Sequence, residues 1–94
     1  MAKQFVVVVY DISSDRRRTK LHDVLLNYGT PVQYSVFECL LEGKQVARMK
    51  RAVTKAIKPR VDRVRYYTLC QSCLERVEVT SGVEVLSEEE SIVV

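Results

Sequence analysis

Glycine is scarce in this 94-residue chain: Gly29, Gly43 and Gly82 stand far apart. That spacing excludes a glycine-rich loop cradling phosphates. The single histidine, His22, leaves the serines and cysteines without the partners of a catalytic triad, so acyl chemistry is unsupported. Three cysteines are an odd number and too few for a disulfide scaffold, which fits a reducing compartment. No run reaches the roughly 18 apolar residues of a membrane helix, and no signal-peptide pattern opens the chain. At 47% hydrophobic, the chain can fill one core but hardly two. The expectation is one soluble, cytoplasmic domain over residues 1–94 with no membrane partner.

The net charge of +3 hides an asymmetry. Through Arg65 there are 14 Lys/Arg against 6 Asp/Glu, and from Tyr66 onward 1 against 6. A basic body with an acidic tail suggests a polyanionic partner for the body. The plainer reading is a solvated surface of scattered charge.

Val6 to Val9 is a continuous β-branched run inside Phe5-Val-Val-Val-Val-Tyr-Asp-Ile-Ser-Ser14. It predicts a strand over residues 3–12, buried on both faces in the middle of a sheet. Ser13 or Ser14 can cap a following helix, whose buried stripe is Leu21, Val24, Leu25 and Tyr28. Gly29 suits the helix C-terminus and Pro31 blocks continuation, so this helix should stop near Tyr28. Val32 to Leu41 reads as β with a break near Ser35, and Glu42-Gly43 as a turn. A second helix is expected over 44–57, with Val46, Met49, Val53 and Ile57 inward. Arg63 to Leu69 and Leu74 to Thr80 read as further strands, with a short one at Val83 to Leu86. Ile92-Val93-Val94 could add to a sheet edge of a partner. The fold expectation is α+β: a ferredoxin-like βαββαβ sandwich with an extra C-terminal strand and two helices on a mainly antiparallel sheet. Residues 83–94 would form a tail able to pair with a dimer mate or another partner.

Asp11 ends the first strand, and Arg16, Arg17, Arg18 and Lys20 crowd the start of the helix after it. Cations there oppose the helix macrodipole. Phosphate oxygens would offset that cost, which makes these four the candidate nucleic-acid-binding residues. The alternative is that the arginines fan outward and pair with Asp15 or Asp23. A carboxylate at a strand end suits a hard cation such as Mg²⁺. One aspartate is a poor site, but two copies of Asp11 across a two-fold axis could share an ion and support attack on a phosphodiester. The plainer reading is that Asp11 simply caps the following turn. Cys70-x-x-Cys73 with Cys39 is half a zinc pattern or a redox spacing, and core packing is the favoured role for all three. Tyr10, Tyr34 and Phe37 could stack on bases, or belong to the core.

Three strings, V-V-Y-D-I-S-S-D-R-R-R-T-K-L, Y-G-T-P-V-Q-Y-S-V-F-E-C and R-V-R-Y-Y-T-L, resemble the small CRISPR-associated Cas2 family in order and spacing. The resemblance covers about three quarters of the chain. It implies a homodimer with a ferredoxin-like fold, acting in CRISPR spacer acquisition as a metal-dependent endonuclease or endoribonuclease on DNA and/or single-stranded RNA, with Mg²⁺ or Mn²⁺. The alternative role in the family is a non-catalytic DNA-binding scaffold bridging the CRISPR integrase, Cas1. By the resemblance, Asp11 is the metal ligand, and Tyr10, Arg18 and Phe37 join it as catalytic candidates. Pro31 stands where a basic residue is frequent in the family, and Ser14 where an acidic one is.

Overall fold

The computed structural model describes residues 3–80. The elements run β1 (Gln4–Asp11), α1 (Asp15–Leu25), β2 (Gly29–Gln33), β3 (Val36–Leu41), α2 (Gly43–Ala56), β4 (Arg63–Leu69) and a single turn, α3 (Gln71–Leu74). The strands form one sheet in the order β2-β3-β1-β4, with every pair antiparallel. That is the ferredoxin-like βαββαβ plan expected from the sequence.

The valine run takes the central place, hydrogen-bonded to β3 on one side and β4 on the other. Strand alternation divides it. Val6, Val8 and Tyr10 are sealed in the core, while Val7 and Val9 are only half-buried. The expectation of burial on both faces is therefore corrected: among the described residues α1 and α2 cover one face, and on the other only Phe5, at the end where Leu74 of α3 packs, is sealed. Phe37, Cys39 and Leu41 extend the covered side on β3.

Leu21 and Leu25 anchor α1, with Val24 and Tyr28 packed beside them. Ser14 caps this helix by accepting the Arg17 N–H at 3.2 Å. The helix stops at Leu25, and Leu26 to Tyr28 form a turn instead of a last helical stretch. Gly29 is not a helix cap but the first residue of β2, paired with Cys39. A Cβ there would lie 2.4 Å from the Glu38 carbonyl oxygen and 2.5 Å from Cys39 Sγ, so only glycine lets the strands approach this closely. Pro31 is tolerated because β2 is the sheet edge. The break near Ser35 is a two-residue turn at Tyr34-Ser35, with Ser35 in the left-handed region at φ 72°.

Val46, Met49, Val53 and Ala56 bury one stripe of α2. The Gln45 side chain accepts the Glu42 N–H at 2.9 Å at its start, so Glu42-Gly43 begins a helix and is not a free turn. The strand expected over Leu74 to Thr80 does not form. Leu74 is instead buried as the last residue of α3, and the chain beyond is turn and coil. The expected strand at Val83 to Leu86 and the apolar end at Ile92 to Val94 lie outside the described residues. Among the described residues no helix is long and apolar enough to cross a membrane.

Candidate functional site

The end of β1 sends two adjacent side chains to opposite sides of the sheet. Tyr10 points under α1 and is 5% exposed, while Asp11 is exposed on the uncovered side. The Tyr10 N–H donates to the Ser35 carbonyl at 3.1 Å, tying the strand end to the β2–β3 turn. Burial pushes the Tyr10 phenol pKa up, helped by Tyr34 and opposed by the nearby Arg18 charge.

Arg18 is held from several directions. It donates to the Ile12 carbonyl at 2.6 Å, pairs with Asp15, and lies 5.9 Å over the Tyr34 ring. A hollow of about 240 Å³ opens between α1 and the β2–β3 turn, lined among others by Tyr10, Arg18, His22 and Tyr34. Tyr34 is 82% exposed at its rim. Phe37 is fully buried beneath it, with Tyr10 at 6.4 Å and the His22 ring edge-on at 5.2 Å. Its ring therefore cannot meet a substrate directly, contrary to the catalytic role expected of it. Its contacts set the position of Tyr10.

The four candidate phosphate-binding cations divide. Arg16 and Lys20 are exposed on α1, one turn apart, with no side-chain hydrogen bond or ion pair among the described residues. Arg17 is taken by Asp62, a residue the sequence reading did not single out. Its Nε and Nη2 donate to the two carboxylate oxygens at 2.8 and 3.0 Å. Asp62 also accepts the Lys58 N–H at 2.8 Å, and Arg17 is the main cause of its lowered pKa. The signal in the sequence was weak: an aspartate three residues after Pro59, next to a strand. Arg17 thus ties α1 to the loop before β4 and is not presented to a phosphate. Arg18 pairs with Asp15, as the alternative had it, but does not fan outward, since it also reaches the Ile12 carbonyl and the Tyr34 ring; Asp23 instead lies 3.9 Å from His22.

The Asp11 carboxylate makes no hydrogen bond or ion pair among the described residues, and its cross-strand neighbour on β4 is Arg63. No cluster of three or more His, Cys, Asp or Glu able to hold a metal occurs among the described residues. The donor set of the described residues in one chain therefore does not fit a divalent ion. Tyr10, Arg18 and Phe37 gather on the helix side of the sheet, and Asp11 stands alone on the other.

A ferredoxin-like domain with a free carboxylate at its central strand end, and with exposed Arg16 and Lys20 on the helix layer across the sheet, defines a small α+β protein. Residues 4–77 match the family described as CRISPR associated protein Cas2. The chain is 40% identical to the CRISPR-associated endoribonuclease Cas2 3 of Chloroflexus aurantiacus over 82% of this chain and 83% of that one. It is 39% identical to the CRISPR-associated endonuclease Cas2 2 of Thermus thermophilus, over 71% of this chain and 74% of that one. The crystal structure of Streptococcus pyogenes Cas2 superposes with a TM-score of 0.71 at 30% identity, covering 80% of this chain and 96% of that one. The chain belongs to the Cas2 family.

Proposed function

We propose that this protein is a homodimeric, metal-dependent nuclease of CRISPR spacer acquisition, with one Asp11 from each copy facing a shared divalent site. The observation that carries the proposal is the position of Asp11. Its unpaired carboxylate stands at the rim of a sheet face whose Val7, Val9, Val36, Leu40 and Leu69 are only half-buried. A second copy seated on that face would cover these side chains and supply the second carboxylate that one chain lacks. Mg²⁺ or Mn²⁺ bound there would supply charge stabilisation and an activated water for phosphodiester cleavage. The residues of the chain do the rest: Arg16 and Lys20 meet phosphates, and Arg18 holds the strand end through the Ile12 carbonyl. The names of the relatives, endoribonuclease and endonuclease, support a nucleic-acid substrate without choosing between RNA and DNA.

A second reading is a DNA-binding scaffold that bridges the Cas1 integrase and cuts nothing. One observation favours it: the free cations Arg16 and Lys20 ride on the helix layer, whereas the Asp11 side chain projects from the other side of the sheet. A duplex held by the helix layer would not need the carboxylate.

The deciding experiment measures cleavage and binding together for wild type and Asp11→Asn, on labelled RNA and duplex DNA, with Mg²⁺ or chelator. Under the nuclease reading, cleavage requires the metal and falls on the order of 100-fold in the variant, while binding survives. If neither protein cuts and both bind duplex equally, the carboxylate is structural and the scaffold reading stands. Binding weakens steeply with salt under both readings, so salt dependence does not separate them.

A further inference from the structure

The cysteines do not share one role. Cys39 packs in the core, its thiol 3.9 Å from Met49 Sδ, with burial pushing its pKa up to about 11. Cys70 and Cys73 are exposed free thiols, contrary to the core packing expected of them. Cys70 sits in extended conformation between β4 and α3, and its carbonyl accepts the Leu74 N–H at 2.9 Å. That turn brings positions 70 and 73 to the same side. The Cys70 Sγ lies 3.3 Å from Ser72 Oγ.

The two thiols are unequal. The Ser72 hydroxyl, the Cys73 N–H and the Cys73 thiol together pull the Cys70 pKa down to about 7. The same contact with Cys70 pushes Cys73 up. One sulfur is therefore available as a nucleophile at neutral pH while its neighbour stays protonated, and that division is what dithiol exchange requires. Access is open as well: Cys70 borders a groove of about 400 Å³ walled by Phe5, Leu40, Leu69 and Leu74.

We propose that Cys70-Gln71-Ser72-Cys73 is a reversible dithiol–disulfide switch whose oxidant is a low-molecular-weight disulfide of the glutathione class. The Cys70 thiolate attacks one sulfur of the disulfide, forming a mixed disulfide and expelling one thiolate. Cys73 then loses its proton and attacks the Cys70 sulfur, closing the protein disulfide and expelling the second thiol. One protein dithiol and one small disulfide become one protein disulfide and two small thiols, and an excess of small thiol reverses both steps. The bridge would clamp α3, whose buried Leu74 packs at the end of the open sheet face. The redox state of the pair thus sets the rigidity of one wall of that face.

The test treats the full chain and its single-cysteine variants with oxidised glutathione at pH 7, quenches with acid, and reads intact mass and alkylatable thiols after denaturation. Wild type and Cys39→Ser should each lose two thiols, become about 2 Da lighter without an adduct, and recover both thiols with reductant. Cys73→Ser should stop at one bound glutathione, and Cys70→Ser should react about 10-fold more slowly. Retention of glutathione by wild type, cross-linking between chains, or equal reaction rates for Cys70→Ser and Cys73→Ser would each overturn the proposal.

Discussion

The two faces of the sheet share the same strands but have different fates. On β1, Val8 is completely buried beneath the helices, while its neighbour Val9 is only half-buried on the other side. On β3, Phe37 and Cys39 are sealed while Val36, Glu38 and Leu40 stand half-covered. Both faces are rich in β-branched and aliphatic residues, yet α1 and α2 cover only one. A valine run apolar on both sides therefore reports more burial than the described residues provide, and the second copy proposed above would supply the cover.

The largest test of this contrast compares one residue from each face. Phe37→Ala should cost about 3–5 kcal/mol, as for a large side chain removed from a sealed core. Val9→Ala should cost less than about 1 kcal/mol in the dissociated chain. Urea unfolding at two protein concentrations checks both. The Val9→Ala cost should grow with concentration if a second copy covers the face, because association then adds to stability. A concentration-independent loss at Val9 as large as that at Phe37 would erase the distinction. The same measurement bears on Phe37 itself: loss of activity in Phe37→Ala that tracks loss of folding marks a core residue and not a catalytic group.

A change of intermediate size acts along a single edge strand. Gly29 pairs with Cys39 on the covered side, and an added methyl meets the Glu38 carbonyl and the Cys39 sulfur. Gly29→Ala should cost about 1–3 kcal/mol through overpacking. Thr30, the next residue, is exposed and pairs with Glu38, so Thr30→Ala should stay within about 0.5 kcal/mol. Thermal unfolding of the two variants decides it: equal melting temperatures would mean that β2 shifts freely to relieve the contact.

How far the sequence revealed this arrangement depended on range. The Val6 to Val9 run marks the central strand because β-branching and apolarity act locally, and the stripes Leu21/Leu25 and Val46/Met49/Val53 mark the helices for the same reason. The β2–β3 hairpin was only hinted at, because Tyr34-Ser35 carries none of the Gly or Asn residues that announce such a turn, and Ser35 adopts positive φ without them. Gly29 and Pro31 had the chemistry of a helix stop, yet the tertiary requirement was close strand contact and an unpaired edge. At the candidate site, Asp11 and Tyr10 could be placed at a strand end, but period-two alternation sent them to opposite sides. Arg17 looked like its neighbours because its partner, Asp62, is 45 residues away. Leu74 to Thr80 has partial alternation, but Leu74 is drawn into α3 by burial.

The smallest effect concerns Glu38, the carboxylate set among the half-covered residues and paired in register with Val7 on β1 and Thr30 on β2. Burial pushes its pKa up. For an acid with a raised folded-state value, the folded protein binds the proton more readily than the unfolded chain. The penalty is therefore absent below the unfolded carboxylate pKa. It accumulates as pH rises through the folded value and is fully present above it. Glu38→Gln should match wild type in acid and become slightly more stable toward neutral pH, a difference read as diverging urea midpoints across the pH series. A second copy covering this face would desolvate Glu38 further, so the divergence should widen at higher protein concentration. Parallel midpoints at every pH and concentration would show that water reaches Glu38 freely and that the open face stays open.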